Sequence, residues 1–538
     1  MTVPELLEVP PAGRVDRSTQ SRESAGPLTA AAAAIALLMI VGAVLRFLVA
    51  RQSLFADELS TYWIVANHGL GGVISLLNGT YPGIQHAEIT PPLFFVASWI
   101  SAQVGHSPEL VRAPSLIAGI LTIPAVYLLG VRTVGRAAGL LAASFTALSP
   151  FMIYYSSEAR SYAVMMLLAT LSTLAMLRAL DTGKARWWVA YAVCSCAAFY
   201  THYTCAFYLL AQFLWLVWAH REAVRPALIA NAGAVLVLAP WAHGLINDLN
   251  SPTEKILSAL SPFTFSAVRL SLEHWALGFP YVDAGGLRSL PGTPALILLG
   301  LAAIVCAIGL GRRALHIRAN GRSPRLPEGV VLILLLALAV PIGEAIISAV
   351  STHLFGVRNL AASWLLLALC CAALVIAAGP RLRYGAAVLA VVAFALGAAK
   401  MLTVHFARPA FQAAASVIRN SARPGDVILD GTAYLSPGPL SALDVALNTR
   451  IPVIRVFAPA EHAHPFGVFD GVTSPEQGVA RALAATRGGR LIVVAFPNLV
   501  AELTPLLSAR YHLVENRLYA EFIPLQLEVW AVGRSTGA

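Results

Sequence analysis

Charge is what this chain has least of. Of 538 residues only 12% are Asp, Glu, Lys or Arg, about half the share usual in a soluble globular domain. Lysine is almost missing, at positions 184, 255 and 400 alone, so the net charge of +10 is carried by arginine. Hydrophobic residues make up 58% and the mean hydropathy is +0.72. Such a balance excludes a soluble enzyme and requires a membrane protein. Cysteine is also scarce: Cys194, Cys196, Cys205, Cys306, Cys370 and Cys371 all fall inside apolar runs. Disulfide frameworks and zinc sites place cysteines in polar loops at ligand spacing, so these six read as small buried hydrophobes. The stretch after about residue 404 lacks a glycine-rich phosphate loop, a metal-ligand spacing and a basic block for nucleic acid. No internal repeat is visible, and the Ala run at 30–34 is the only low-complexity stretch. Asn78-Gly79-Thr80 fits a glycosylation triplet of a kind common by chance.

What the chain does have is long apolar runs. They lie at 28–50, 113–131, 137–155, 162–180, 187–203, 204–219, 226–243, 291–310, 329–350, 360–379 and 384–403. Each approaches the length needed to cross the hydrocarbon core. The polar residues 1–27 read as a disordered cytoplasmic tail. The first run is too long for a signal sequence and reads as an uncleaved span. Arginines follow the second, fourth, sixth, eighth and tenth runs (Arg132 and Arg136; Arg178 and Arg186; Arg221 and Arg225; Arg312 to Arg325; Arg381 and Arg383). With the N-terminus inside, every one of these loops is cytoplasmic, as the positive-inside rule requires. The apolar stretch Pro92–Val104 is too short for a span, and counting it would invert all these loops. It is therefore expected to lie on the membrane surface within one extracytoplasmic loop, 51–112.

After residue 404 the composition changes to that of a soluble α/β domain on the outer face. A helix is expected over Phe411–Ala422, a turn at Arg423–Asp426 and a strand from Val427. Helices at 475–487 and 499–509 and strands at 490–496, 511–520 and 525–532 complete it.

The loops predicted to face outward gather acids against bases. Asp57 and Glu58 stand side by side after the first span, with His86, Glu88 and Arg112 in the same loop. Ser157-Glu158-Ala159-Arg160-Ser161-Tyr162 and Thr201-His202-Tyr203 lie in the next outward turns, and Arg358 follows the ninth run. Carboxylates beside lipid are costly and need a reason. Guanidinium groups match phosphate bidentately, and a carboxylate suits a hydroxyl nucleophile that must lose its proton. Together they suggest group transfer from a lipid-linked phosphate to an alcohol. Plainer roles compete. Asp57 or Ser60 serves equally as the N-cap of a helix through Tyr62–His68, and Glu58 as the partner of an arginine. Glu158 and Arg160 can pair with each other. His202 can anchor at the interface beside Tyr200 and Tyr203, and Arg358 can snorkel to headgroups. Arg358 and Arg112 sit on the side the charge rule disfavours, which raises their interest. Glu344, inside the ninth run, is an intramembrane acid and a candidate by that fact.

These residues resemble a known family in their order. Phe55-Ala56-Asp57-Glu58, Glu88-Ile89-Thr90-Pro91-Pro92, Glu109-Leu110-Val111-Arg112, Tyr154-Tyr155-Ser156-Ser157-Glu158-Ala159-Arg160, Tyr200-Thr201-His202-Tyr203, Val357-Arg358-Asn359-Leu360 and Arg423-Pro424-Gly425-Asp426 are similar to the bacterial GT-C glycosyltransferases of the protein mannosyltransferase type, with their aminoarabinose-transferase relatives. The likeness covers nearly the whole chain. It departs from many relatives at Thr90, where they carry His, and at Asn359, where they carry Tyr.

The resemblance implies an α-helical polytopic GT-C domain over 28–403, with about 11 spans, and an extracytoplasmic α/β domain over 404–538. It implies an inverting transfer of a sugar, mannose before arabinose, from a polyprenyl phosphate to a hydroxyl of a glycan, lipid or protein on the outer face. Asp57 becomes the general base, with Glu58 orienting it or holding the acceptor. Arg112, Glu158, Arg160, His202 and Arg358 line the donor site, and Glu88, Tyr162 and Glu344 stand as further candidates. No metal or cofactor is implied. A polytopic transporter or lipid flippase is the rival reading; it predicts broken spans and repeats.

Overall fold

The structure, a computed structural model, describes residues 25–84, 88–251, 263–281, 285–319, 326–351, 355–432, 440–447, 451–456 and 474–532. His86 and the tail up to residue 24 lie outside the described residues. Each of the eleven apolar runs is helical. Among the described residues, eight helices are long and apolar enough to cross a membrane: Ala30–Ala50, Ala113–Thr133, Tyr162–Thr182, Arg221–Leu249, Arg288–His316, Glu328–Val350, Asn359–Ala377 and Leu382–Met401. A ninth candidate is the bent pair Arg136–Leu148 and Pro150–Ser156, whose axes differ by 61°. Pro150 causes the break, since it offers no N–H to continue the ladder and forces Ser149 to ψ 129°. The chain is a multi-pass membrane protein with fewer full-length spans than the runs suggested. Ala185–Phe199 and Cys205–Ala219 have 15 residues each, roughly 22 Å of helix against a core of about 30 Å.

Two expectations change. The seventh run, placed at 226–243, continues as helix to Leu249, because Pro240 only tightens one turn to a 3-10 helix at Ala239–Trp241. The short stretch near Pro92 forms the ten-residue helix Leu93–Ala102, which buries Phe94 and Phe95 beside Ile64, Val65 and Leu76. The first loop is thus a packed layer of short helices, Asp57–Asn67, Leu70–Leu77 and Leu93–Ala102.

Small residues bring the central helices together. A Cβ on Gly130 would lie 2.4 Å from the Cα of Gly139, and one on Gly139 would lie 2.8 Å from the Tyr127 oxygen. Ala113–Thr133 and Arg136–Leu148 therefore touch backbone to backbone, as membrane helices do where only small side chains intervene.

The C-terminal region forms a five-stranded sheet of order β2-β1-β3-β5-β4, with β1 at Val427–Gly431, β2 at Val453–Arg455, β3 at Leu491–Ala495, β4 at Tyr511–Tyr519 and β5 at Leu525–Val532. β2, β1 and β3 run parallel; β5 pairs antiparallel with β3 and β4. β1 and β3 are buried at every residue, as parallel strands covered on both faces must be. One face carries Pro475–Ala485 and Pro497–Ser508. The other carries Phe411–Ser421 and Ala442–Leu447 and closes over Leu54, Phe55 and Leu59 of the first loop. The short helix Ala442–Leu447 and strand β2 were not expected. Each is too brief to show a periodic pattern.

Gly130→Val is expected to separate the two central helices and lower stability by about 1–3 kcal/mol. The melting temperature of the detergent-purified protein measures this, and an unchanged value would contradict the close packing.

Candidate active site

The backbone turns into the site at strain. Ala56 has φ 52° and ψ −129°, the one non-glycine residue with positive φ among the described residues. A side chain in that region costs about 1–3 kcal/mol and persists only where the surroundings impose it. The next residue, Asp57, opens the helix Asp57–Asn67. Ala56 is its N-cap residue, and no side chain caps it. The capping alternatives for Asp57 and Ser60 are therefore not what the structure shows.

What imposes the turn is Glu58. Its side chain is buried. Oε1 accepts from Nε of Arg112 at 2.7 Å and from the Ala159 amide at 2.7 Å. Oε2 accepts from Nη2 of Arg112 at 2.7 Å, from Nη1 of Arg408 and from the Phe55 amide at 3.3 Å. Burial pushes this carboxyl up, but the two guanidinium groups outweigh it and hold the group below its usual range. Glu58 binds the first loop to three distant segments and has no free face toward a substrate.

Arg112 is committed in the same way. Beyond its two bonds to Glu58, Nη1 donates to the Ala50 and Gln52 oxygens at 2.6 Å and Nη2 to the Ser53 oxygen at 2.9 Å. All five donors of the guanidinium are used. In this structure Arg112 holds the chain at 50–58 rather than pointing at an open site. Arg408, which the sequence reading passed over, completes the cluster. Its Nη2 donates to the Ser157 oxygen at 3.1 Å, its amide to Gln52 Oε1 at 3.0 Å, and its guanidinium stacks 5.2 Å from the Tyr154 ring centroid. It lies in a loop that the arginine pattern predicts to face outward, the signal that marked Arg112 and Arg358.

Asp57 is the accessible carboxylate. It accepts from Nη1 of Arg358 at 2.6 Å, and both side chains remain 40% exposed. Burial raises its carboxyl, while Arg358 and then Arg160 lower it by more, so it stays ionised below the usual aspartate range. Arg160 does not pair with Glu158. It makes a two-pronged bond to Glu88, both side chains being 7% exposed. Glu158 is left with one weak bond, from the Tyr154 hydroxyl at 3.5 Å, and a buried Oε2 without a partner. Burial and then Glu58 push its carboxyl up to about 7. His202 accepts at Nδ1 from the Thr204 amide at 3.3 Å, and its ring lies 5.4 Å from that of Tyr162. Burial, with Arg160 and Arg358 nearby, lowers it to about 3, so it is neutral. Asp57, Glu58, Glu88, Arg112, Glu158, Arg160, Tyr162, His202 and Arg358 thus form one connected neighbourhood. Glu344 is buried in its span with an unpartnered Oε2, and nothing ties it to this cluster. Among the described residues no three His, Cys, Asp or Glu side chains group as metal ligands.

An apolar cavity of about 450 Å³ lies between the helices, lined by Trp364 with Leu277, Cys306, Leu367, Cys371 and Phe394.

Residues 89–245 match the family model described as dolichyl-phosphate-mannose-protein mannosyltransferase. No curated protein sequence matches the chain. Among solved structures it is similar to ArnT from Cupriavidus metallidurans in the apo state, with a TM-score of 0.50 at 14% identity over 93% of this chain and 98% of that one. ArnT from the same organism bound to undecaprenyl phosphate gives 0.48 at 13% identity, covering 94% and 98%. The Archaeoglobus fulgidus oligosaccharyltransferase tethered to an acceptor peptide gives 0.48 at 13%, covering 94% and 74%. At such identities the likeness is one of fold.

Two outcomes follow from this geometry. Glu58→Gln leaves the buried Arg112 without its counter-charge and is expected to cost about 3–5 kcal/mol, read as a lowered melting temperature; Asp57→Asn, at the exposed pair, is expected to change it little. A carboxyl raised to about 7 favours the folded state while protonated, below its unfolded pKa, and loses that contribution as pH rises through 7. Glu158→Gln should therefore melt higher than wild type at pH 8–9 and alike near pH 4, and a difference with the opposite pH trend would contradict the assignment. The chain thus shares the fold of ArnT, and its residues 89–245 are similar to the dolichyl-phosphate-mannose-protein mannosyltransferase family.

Proposed function

We propose that this protein is an inverting glycosyltransferase that moves a sugar from a polyprenyl phosphate to a hydroxyl of a cell-envelope glycan, lipid or protein. The observation that carries the reading is the Asp57–Arg358 pair: an ionised, accessible carboxylate held by an accessible guanidinium. The donor phosphate competes with Asp57 for Arg358. As Arg358 turns to the phosphate, Asp57 loses its closest cation, its proton affinity rises and it accepts the proton of the attacking hydroxyl. The hydroxyl oxygen bonds to the anomeric carbon as the bond to the phosphate oxygen breaks. The phosphate leaves as an anion stabilised by Arg358, so no acid is needed to protonate it.

The cavity lined by Trp364 suits the first isoprene units of the donor. Arg160 and Glu88 frame the site as a paired wall, and neutral His202 offers Nε2–H as a donor to a sugar or phosphate oxygen. The family model supports mannose as the sugar; arabinose is the next candidate. In this reading the N-terminus is cytoplasmic, and the site and the α/β domain from 404 onward are extracytoplasmic, as the arginine loops favour.

The test is sugar transfer from a panel of polyprenyl-phosphate sugars by purified protein. Wild type is expected to use one of them, and Asp57→Asn to lose about 10²–10⁴-fold in turnover. Transfer that survives unchanged in Asp57→Asn removes the general base. No transfer by wild type from any donor favours transport of the lipid instead.

A further inference from the structure

The first span carries an arginine that the reaction does not use. Arg46 is fully buried, and no carboxylate pairs with it. Its side chain bonds only to carbonyls: Nη1 to Gly42 at 3.0 Å and Ala147 at 3.2 Å, and Nη2 to Thr146 at 2.9 Å. The identity of those carbonyls is informative. Thr146 is four residues before Pro150, so its oxygen is the one that the proline leaves without a helical donor. Ala147 is next, at the end of a helix that turns through 61°. A guanidinium there meets both the orphan acceptors and the negative end of the helix.

Beyond the bend the Ser157 hydroxyl donates to its own helix at the Ile153 oxygen, 2.7 Å, with the Arg46 backbone oxygen at 3.0 Å. The guanidinium itself grips the chain just before the seven-residue helix Pro150–Ser156. That helix delivers Glu158, Ala159 and Arg160 to the site. The neighbouring helices leave room for the grip: a Cβ on Gly42 would come within 3.0 Å of Nη1, and one on Gly119 within 3.1 Å of Nε and 2.1 Å of the Ser156 hydroxyl.

We infer that Arg46 is a positioning residue for the transfer reaction: its guanidinium clamps the start of the proline bend and so aims the 157–160 loop at Asp57. This rests on the function proposed above, but part of its test does not need activity. Hydrogen exchange reports the Ala159 amide, which is bonded to Glu58. In Arg46→Met this amide is expected to exchange at least tenfold faster, and turnover per folded protein to fall at least tenfold with less change in donor KM.

The variant Arg46→Met/Pro150→Ala separates aim from stability. Alanine at 150 returns an N–H to the Thr146 oxygen, so the melting temperature should recover towards wild type while turnover stays low, because the bend itself is lost. Arg46→Lys, which keeps a cationic donor, should retain more turnover than Arg46→Met. If Ala159 exchange and turnover per folded protein stay at wild-type values in Arg46→Met, or if turnover returns together with stability in the double variant, Arg46 only stabilises the bundle and the inference fails. Loss of transfer in wild type would overturn the functional reading and leave the exchange result standing.

Discussion

A single carboxylate, Glu58, ties together the segments that surround the candidate site. Two guanidinium groups and two backbone amides converge on its two oxygens. Arg112 comes from the head of one span, Arg408 from the segment that follows the last, and Ala159 from the turn after the proline bend. Removing such a charge pair from water costs several kcal/mol per ion, and the cost is offset only when every lone pair and proton finds a partner. Here they do. The strained turn at Ala56 is held by the same bonds, because the residues on either side of it are fixed. That leaves Asp57, the neighbour of Glu58, on a rigid base while its own side chain stays exposed.

The adjacent pair therefore divides its labour by environment. Both carboxyls are lowered by arginines, yet one is enclosed and the other is reachable. Glu158, a short distance away, goes the other way because burial and the Glu58 charge act on it with only weak compensation. Three acids in one neighbourhood thus have three states near neutral pH: locked, available, and poised between charged and neutral. Opposed shifts of this kind are characteristic of sites where protons move.

Much of this was legible in the sequence, for identifiable reasons. Membrane helices advertise themselves because each must bury its own backbone bonds in a long apolar run. Arg112 and Arg358 stood out because the loop pattern predicts them on the side that the charge rule disfavours, and Arg408 shares that pattern. What could not be read was who pairs with whom. Arg160 is two residues from Glu158 yet bonds to Glu88, and Arg112 directs donors to Ala50, Gln52 and Ser53. Such choices are settled by how helices far apart in the chain pack. The proline at 150 signalled a break, but its rescue by an arginine more than a hundred residues earlier has no local signature.

The distance along the chain between Glu58 and its partners also sets a timetable. Arg112 lies 54 residues downstream and Arg408 lies 350. At roughly 5–20 residues per second of synthesis, Glu58 and Arg112 can pair within seconds. The second arginine is made about 20–70 s after Glu58. Until Arg408 has been made, its bond to Glu58 cannot form. The site is completed late in synthesis, so a chain that stalls before residue 408 carries Asp57 without the frame that positions it.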